Sequence, residues 1–433
     1  MTGSAPPDWL ARPALEIVPA GPVAGSIEAP SSKSLTNRLL VIAALAEGES
    51  ALRRLLASDD TVAMTTGLRA LGARIESLGA ETKVSGTSGH PVADGAYVDA
   101  GLSGTTLRFL AAVALLAKST VVLDAREPLR RRPIAPLLKA LRAAGADVLT
   151  DQGRPPLRIT GHGLAGGTLG VDASASSQFA TALLLIGPYA DDDLVLEVSG
   201  LDDLGYVRLT TGAMTRWGAL VAEEAPACFK VSAGVPYLAR TESVEHDASA
   251  AAHLYALAVA TGGSVTVSNA FETAQPDGRL LEVLAAMGAT FSRSPAGTTV
   301  ERPGELVGVE VDLASMPDQL PTVATLGALA RGATVIRGAA IVRGHESDRI
   351  HAVATELRRL GARVEELPDG LVVHGGALLH GGRVDTHQDH RLAMAFTAIG
   401  AAVPRVEISD PGCVAKTYPG FFDDVIRLGV GIR

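Results

Sequence analysis

The sequence has little of several features that mark common functional classes. Its 433 residues contain two cysteines, Cys228 and Cys413, which excludes a disulfide framework and a cysteine-based zinc site and fits a reducing cytoplasm. Aromatic residues make up only 4%, which argues against a base-stacking surface for nucleic acid. The net charge of −9 offers no general attraction to nucleic acid or an anionic membrane. Any bound anion must therefore be held by a local basic cluster.

Long apolar runs are also missing. Stretches such as Phe109–Ala117 fall short of the roughly 18 residues needed to span a membrane, and no basic segment followed by an apolar core opens the chain. The histidines, among them His90, His246 and His351, are scattered, so we expect no metal and no cofactor. We expect a cytoplasmic, monomeric protein that binds neither nucleic acid nor membranes. Its length favours two domains.

The chain repeats a pattern at intervals of about 70 residues. In each copy a helical stretch ends in an apolar residue and a glycine, followed by a short β-rich run, and the glycine sits where a helix C-cap needs a left-handed residue. The six glycines are Gly72, Gly145, Gly218, Gly288, Gly361 and, in a weaker copy, Gly429. A second β-rich run recurs in the same rhythm, for example at Gly263–Val267. We therefore predict an α/β (α+β) protein with six repeated units divided three plus three.

A stretch near the N-terminus predicts an anion site. Residues 29–38 place Lys33 and Arg38 among small hydroxyl residues, directly before an apolar run that predicts a helix at 39–45. Hydroxyls, backbone N–H groups and the positive end of a helix dipole favour a bound anion. An ordinary capped helix with two solvated charges is the competing interpretation.

Other polar motifs are weak when taken singly. Each of Arg132, Arg349, Arg391 and Lys416 stands near a turn-forming residue, and a lone basic residue there is more often a solvated charge. The glycine of Ser103-Gly104-Thr105-Thr106 suits close approach of backbone to a ligand, but small-residue loops are common. Taken together, however, several cations would suit a site for two phosphorylated anions.

The order of eight motifs resembles the enolpyruvyl transferase family, in particular its shikimate-pathway branch. The motifs are Ser32-Lys33-Ser34-x-x-x-Arg38, Ser103-Gly104-Thr105-Thr106-x-Arg108, Arg132-Pro133-Ile134, Ser176-Ser177-Gln178-Phe179, Pro317-Asp318, Glu346-Ser347-Asp348-Arg349, Asp389-His390-Arg391 and Lys416-Thr417-Tyr418-Pro419. The resemblance implies a two-domain inside-out α/β barrel with three βαβαββ units in each domain. It places residues 1–31 and 244–433 in one domain and 32–243 in the other, with the active site in the cleft between them.

The resemblance also implies the reaction, which moves the carboxyvinyl group of phosphoenolpyruvate to the 5-hydroxyl of shikimate 3-phosphate and releases phosphate. Asp318 would deprotonate the hydroxyl, Glu346 would carry the proton to and from C3, and Lys33 would stabilise the departing phosphate. The phosphorylated acceptor is assigned to Lys33, Ser34, Arg38, Ser176, Ser177, Gln178, Tyr206, Asp318 and His345. Phosphoenolpyruvate is assigned to Lys33, Gly104, Arg132, Gln178, Arg349, Arg391 and Lys416, and glyphosate is expected to inhibit by occupying that second site.

The sequence departs from the family pattern at four places. Leu102 replaces a usual Asn, His345 replaces a usual Lys, residues 203–206 differ from a Ser-x-Pro-Tyr motif, and an Asn near Ile341 is absent. Most of these changes fall on the acceptor side, so a paralogue that acts on another phosphorylated alcohol, such as a nucleotide, stays open. A catalytically silent binding protein is disfavoured by the intact Lys33, Asp318 and Glu346. The related transferase acting on UDP-N-acetylglucosamine is disfavoured because it uses a loop cysteine, and neither cysteine lies at that position.

Overall fold

Six four-stranded sheets and twelve α-helices make up the part of the chain described by the computed structural model, residues 8–19, 21–92 and 95–433. The helices are α1 Lys33–Leu45, α2 Asp59–Ala70, α3 Gly104–Leu116, α4 Ala135–Ala143, α5 Gln178–Ile186, α6 Gly205–Arg216, α7 Ala248–Thr261, α8 Leu280–Ala286, α9 Leu320–Leu329, α10 Arg349–Arg359, α11 His390–Ala402 and α12 Phe421–Arg427. Among these helices, none is long and apolar enough to cross a membrane.

The strands alternate with the helices along the chain. They are β1 Ala14–Val18, β2 Ala24–Ile27, β3 Glu49–Arg53, β4 Arg74–Leu78, β5 Glu81–Ser85, β6 Tyr97–Asp99, β7 Thr120–Asp124, β8 Asp147–Asp151, β9 Arg154–Thr160, β10 Gly167–Asp172, β11 Leu194–Ser199, β12 Val221–Ala225, β13 Cys228–Val231, β14 Thr241–Ser243, β15 Ser264–Val267, β16 Thr290–Ser294, β17 Gly297–Glu301, β18 Glu310–Asp312, β19 Ala333–Arg337, β20 Arg363–Leu367, β21 Gly370–His374, β22 Gly382–Val384, β23 Val406–Ser409 and β24 Gly431–Ile432.

The chain divides into two compact units. The first unit is Met1–Pro30 with Glu245–Arg433, and the second unit is Ser31–Val244. Each unit has its own hydrophobic core. The sheets of the second unit have the orders β14-β3-β5-β4, β6-β7-β9-β8 and β10-β11-β13-β12, and those of the first unit have the orders β2-β15-β17-β16, β18-β19-β21-β20 and β22-β23-β1-β24.

All six sheets have the same pairing pattern. In each, the first strand in these orders pairs in parallel with the second, and the remaining pairs are antiparallel. The repeated glycines explain how each unit turns from helix to strand, because all six have φ between 92° and 102°. L-residues with a side chain rarely adopt that conformation, so glycine is required there. The six repeated units and the left-handed glycines predicted from the sequence are both confirmed.

Helices lie at the centre of each unit and sheets lie outside. Every residue of α3 is buried, and α7, α9 and α11 pack against one another in the first unit. Helices that are apolar all round belong in a core rather than on a surface. Strands such as β3 and β19 alternate buried and exposed positions, as expected of sheets with one face in water. This arrangement matches the predicted inside-out barrel.

Candidate active site

Several of the predicted site residues lie at the N-termini of helices. Lys33 begins α1, Gly104 begins α3 and Gln178 begins α5 in the second unit. In the first unit Arg349 begins α10 and Arg391 is the second residue of α11. Unpaired backbone N–H groups and the helix dipole make these ends favourable for anions.

Lys33 is held by a carboxylate of the next helix. Its Nζ lies 3.3 Å from Oδ2 of Asp60, a residue that is buried in the first turn of α2. The carbonyl of Asp60 lies 3.3 Å from the hydroxyl of Thr106, which in turn lies 2.8 Å from Oγ of the helix-capping Ser103. The starts of α2 and α3 are thereby fixed to each other, and Lys33 is positioned beside them.

Arg38 is almost completely buried. Its Nε donates to Oγ1 of Thr210 at 2.8 Å, Nη2 donates to the carbonyl of Tyr206 at 3.2 Å, and Nη1 donates to the carbonyl of Ser34 at 3.0 Å. The guanidinium also stands over the ring of Phe109, 5.7 Å from its centroid. Burial lowers the pKa of Arg38 to about 10, so it still carries its charge at neutral pH.

A second buried basic residue, Arg108, joins two predicted acceptor residues. Its Nη1 lies 3.2 Å from Oγ of Ser176 and 2.7 Å from Oε1 of Gln178. A Cβ placed on Gly104 would lie 3.3 Å from Nη1 of Arg108 and 3.4 Å from Nη1 of Arg132. Two guanidinium groups therefore converge on the backbone at Gly104.

Three more predicted acceptor residues of the second unit are Ser34, Ser177 and Tyr206. Ser34 and Tyr206 offer carbonyls to Arg38 as described above. Ser177 is half-buried immediately before α5, and its hydroxyl does not cap that helix. The hydroxyl of Ser177 is therefore not used to cap α5.

In the first unit a single guanidinium organises the site. Arg349 is 1% exposed and forms a two-point ion pair with Asp389, with Nε 2.7 Å from Oδ2 and Nη2 3.1 Å from Oδ1. Its Nη1 donates to Oδ1 of Asp318 at 2.6 Å, and its Nη2 donates to Oε2 of Glu346 at 2.9 Å. The three carboxylates raise the pKa of Arg349 although burial lowers it, so the residue is permanently charged.

Asp318 receives two further polar partners. Nη2 of Arg391 donates to its Oδ2 at 2.7 Å, and Nδ1 of His345 lies 3.3 Å from its Oδ1. Burial raises the pKa of Asp318, but Arg391, Arg349 and His345 together hold it well below its usual range. Burial lowers the pKa of His345, which is therefore neutral at neutral pH. Asp318 is therefore ionised at neutral pH.

Glu346 has a cation on each carboxylate oxygen. Nζ of Lys416 donates to Oε1 at 2.9 Å, while Arg349 binds Oε2.

Asp389 pairs with Arg349 and also caps α11 by accepting from the backbone N of Arg391 at 3.0 Å. One buried carboxylate thus positions two of the predicted phosphoenolpyruvate residues.

The formal charges of the two clusters differ. The cluster of the first unit has three carboxylates, Asp318, Glu346 and Asp389, against three cations, Arg349, Arg391 and Lys416. The cluster of the second unit has four cations, Lys33, Arg38, Arg108 and Arg132, and the carboxylate of Asp60 pairs with Lys33. The second-unit cluster suits phosphate binding, and the balanced cluster suits proton transfer. Within the described ranges, no group of three or more metal-ligating side chains could hold an ion.

Reasoning from the sequence assigned no role to Asp60, Arg108, Asp389 or His253. Asp60 sits in a helix first turn and Asp389 at a helix N-cap, and acidic residues are common at both positions, so composition gave no signal. Arg108 and Asp389 did belong to recognised motifs, and burial is what singles them out. His253 is 1% exposed inside α7, and burial together with Arg391 and Arg349 lowers its pKa to about 3.

The fold and these clusters define an α/β enzyme that handles small anionic substrates. The sequence model of EPSP synthase (3-phosphoshikimate 1-carboxyvinyltransferase) matches residues 17–425. A 3-phosphoshikimate 1-carboxyvinyltransferase of Methanoculleus marisnigri is 42% identical over 95% of this chain and 98% of its own, and one of Nostoc punctiforme is 39% identical over 94% and 97%. The solved EPSP synthase of Acinetobacter baumannii superposes with a TM-score of 0.81 at 26% identity, covering 97% of this chain and 99% of the other. The chain belongs to the EPSP synthase family.

Proposed function

We propose that the protein transfers the carboxyvinyl group of phosphoenolpyruvate to the 5-hydroxyl of shikimate 3-phosphate and releases phosphate. The observation that carries this proposal is the sharing of one guanidinium by two carboxylates, since Arg349 donates to both Asp318 and Glu346. The proposed reaction needs two proton carriers, one for the hydroxyl and one for C3, held near a cation that binds the anionic donor.

Asp318 takes the proton of the acceptor hydroxyl in this scheme. Without a substrate, Arg349 and Arg391 neutralise it and its pKa is low, which makes it a weak base. A bound phosphoenolpyruvate competes for the same guanidinium N–H groups. The pKa of Asp318 then rises, so the base becomes effective when the donor is present.

Glu346 takes up a proton from solvent or, by way of Asp318, from the acceptor hydroxyl. It gives this proton to C3 as the hydroxyl oxygen attacks C2, and takes one back when phosphate leaves. Lys416 and Arg349 keep its two oxygens in place. Lys33, Arg132 and the N-terminus of α3 bind the phosphate groups and stabilise charge on the departing phosphate. In this proposal the protein works as a cytoplasmic monomer.

The test is release of inorganic phosphate from phosphoenolpyruvate by the purified protein. We expect release with shikimate 3-phosphate and a carboxyvinyl ether product seen by proton NMR. A nucleotide and UDP-N-acetylglucosamine are offered as competing acceptors. Turnover with either of these and none with shikimate 3-phosphate would overturn the proposed acceptor while leaving the proposed chemistry in place.

A further inference from the structure

Arg108 lies in the phosphate-binding half of the proposed site without having been assigned to either substrate. It is 3% exposed, extends from the second turn of α3, and stands over the ring of Phe179 at 5.3 Å. Its Nη1 contacts both Ser176 and Gln178, and its Nη2 lies 3.5 Å from the carbonyl of Pro133. A guanidinium has five N–H donors and no acceptor. Every group that forms a hydrogen bond with Arg108 must therefore be the acceptor of that bond.

The hydroxyl of Ser176 has both of its lone pairs engaged. Its Oγ accepts from Nη1 of Arg108 at 3.2 Å and from the backbone N of Gln178 at 3.3 Å. A hydroxyl offers two acceptor sites and one proton. Only the proton remains, so Ser176 can bind a ligand only as a donor.

The amide of Gln178 is oriented by the same guanidinium. Its Oε1 accepts from Nη1 of Arg108 at 2.7 Å, and a flipped amide would place two donors against each other at that distance. The NH2 group is therefore on the opposite side, where one hydrogen bond goes to Oγ1 of Thr105 at 3.2 Å. The second N–H of the amide is a further hydrogen-bond donor, and it points away from Arg108.

We propose that Arg108 is a positioning residue that sets Ser176 and Gln178 as hydrogen-bond donors, and so selects an acceptor-only group such as phosphate at this position. A dianionic phosphate accepts at every oxygen, whereas a hydroxyl or amide in the same place would bring its own donors against these donors. This inference deepens the proposed function and rests on it for the identity of the phosphorylated ligand.

The test is a double-mutant cycle in shikimate 3-phosphate binding, measured by calorimetry on the full chain. Arg108→Met and Ser176→Ala should each weaken binding at least tenfold. Because Arg108 acts through Ser176, the double variant should lose at least fivefold less affinity than the product of the two single losses. Losses that multiply would overturn the inference, since they would show that Arg108 acts independently of Ser176.

Two further variants separate orientation from charge and from folding. Arg108→Lys keeps the positive charge but has no second nitrogen to contact the carbonyl of Pro133 while the first donates to Ser176 and Gln178. Its donors are therefore held less firmly, and binding should also weaken several-fold; wild-type affinity would show that charge alone suffices. Arg142→Met is the matched control, because this exposed arginine of α4 donates to the carbonyl of Val148 and belongs to neither cluster. This variant should bind within twofold of wild type.

Inorganic phosphate is the probe that distinguishes this inference from the proposed function. One outcome is that the wild type binds inorganic phosphate but not shikimate 3-phosphate, and that the losses of phosphate affinity in the two single variants do not multiply in the double variant. In that case the proposed function fails and the donor-setting role of Arg108 stands. If it binds shikimate 3-phosphate and the cycle is multiplicative, the proposed function stands and the inference fails.

Discussion

Arg349 and Asp389 form a buried two-point ion pair, 1% and 0% exposed, at the centre of the first-unit cluster. Planar, bidentate pairing of this kind fixes both the position and the rotation of a guanidinium. The other two carboxylates of the cluster, Asp318 and Glu346, take their positions from the remaining N–H groups of Arg349.

The first prediction concerns this pair. Asp389→Asn leaves a buried guanidinium without its main counter-charge, so the free energy of unfolding should fall by about 3–5 kcal/mol. Urea unfolding measures it. Glu305→Gln is the control, because the Arg331–Glu305 pair is 71% and 61% exposed and should contribute no more than about 1 kcal/mol. Equal losses in the two variants would show that Asp389 has no special structural role.

The second prediction concerns proton transfer at C3. Glu346→Gln keeps the shape and a hydrogen-bond acceptor for Lys416 or Arg349 but removes the proton carrier. Turnover should fall by about two to four powers of ten while shikimate 3-phosphate still binds. Exchange of solvent deuterium into the methylene group of recovered phosphoenolpyruvate should also stop. Full turnover with full exchange would assign the C3 proton to another group.

The third prediction concerns binding of the anionic donor. Arg391→Ala removes a charge-assisted donor from the cluster, and phosphoenolpyruvate affinity should fall by about 2 kcal/mol or more. Calorimetry with phosphoenolpyruvate measures the change. Arg363→Ala, in an exposed pair on β20, is the control and should leave the affinity unchanged. An unchanged affinity in Arg391→Ala would remove that residue from the site.

The fourth prediction concerns glyphosate. Gly104 begins α3 without a positive φ, so alanine is tolerated by the backbone, but its methyl group would press on the guanidinium groups of Arg108 and Arg132. We expect the wild type to be inhibited and Gly104→Ala to need at least tenfold more glyphosate, with a higher KM for phosphoenolpyruvate. Steady-state inhibition assays measure both quantities. Identical inhibition of the two forms would place Gly104 outside that pocket.

The fifth prediction concerns pH. His253 has a pKa of about 3 in the folded protein against 6.5 in the unfolded chain, because it is buried and faces Arg391 and Arg349. Between those values the unfolded state binds more protons, so stability falls as pH falls below about 6.5. Relative to His253→Gln, which does not titrate, the wild type should lose about 2 kcal/mol of unfolding free energy between pH 7 and pH 5. A constant difference across this range would contradict the low pKa.

Local patterns predicted much of the fold. Each helix-ending glycine, such as Gly145 or Gly361, signals a left-handed residue that few other amino acids adopt, and its regular spacing revealed the repeat. The strand runs near 120, 194 and 264 were also visible, because β-branched residues cluster there. The pairing of β1 with β23 and β24 had no local signal, since those strands are nearly 400 residues apart.

Local sequence patterns predicted less of the candidate site than of the fold. Arg349 and Arg391 were predicted from a resemblance, because nothing in their local sequence distinguishes them from solvated charges. Lys33 also had a local signal, since it stands in the hydroxyl-rich stretch before a helix that predicted an anion site. The importance of these residues comes from burial and from shared partners such as Asp389 and Asp60, which only the folded chain brings together. Arg108 illustrates the point, because its effect depends on which lone pairs of Ser176 and Gln178 it occupies.

The position of the first strand has a consequence for synthesis on the ribosome. β1 lies between β23 and β24, and the backbones of Glu16 and Arg433 exchange two hydrogen bonds of 3.0 Å. All three sheets of the second unit are complete once Ser243 has emerged, whereas β1 has no partner until the last strands are translated. The second unit can fold before the first unit has been fully translated, and closure of the first unit waits for β23 and β24, whose long-range pairing with β1 makes it the slow step.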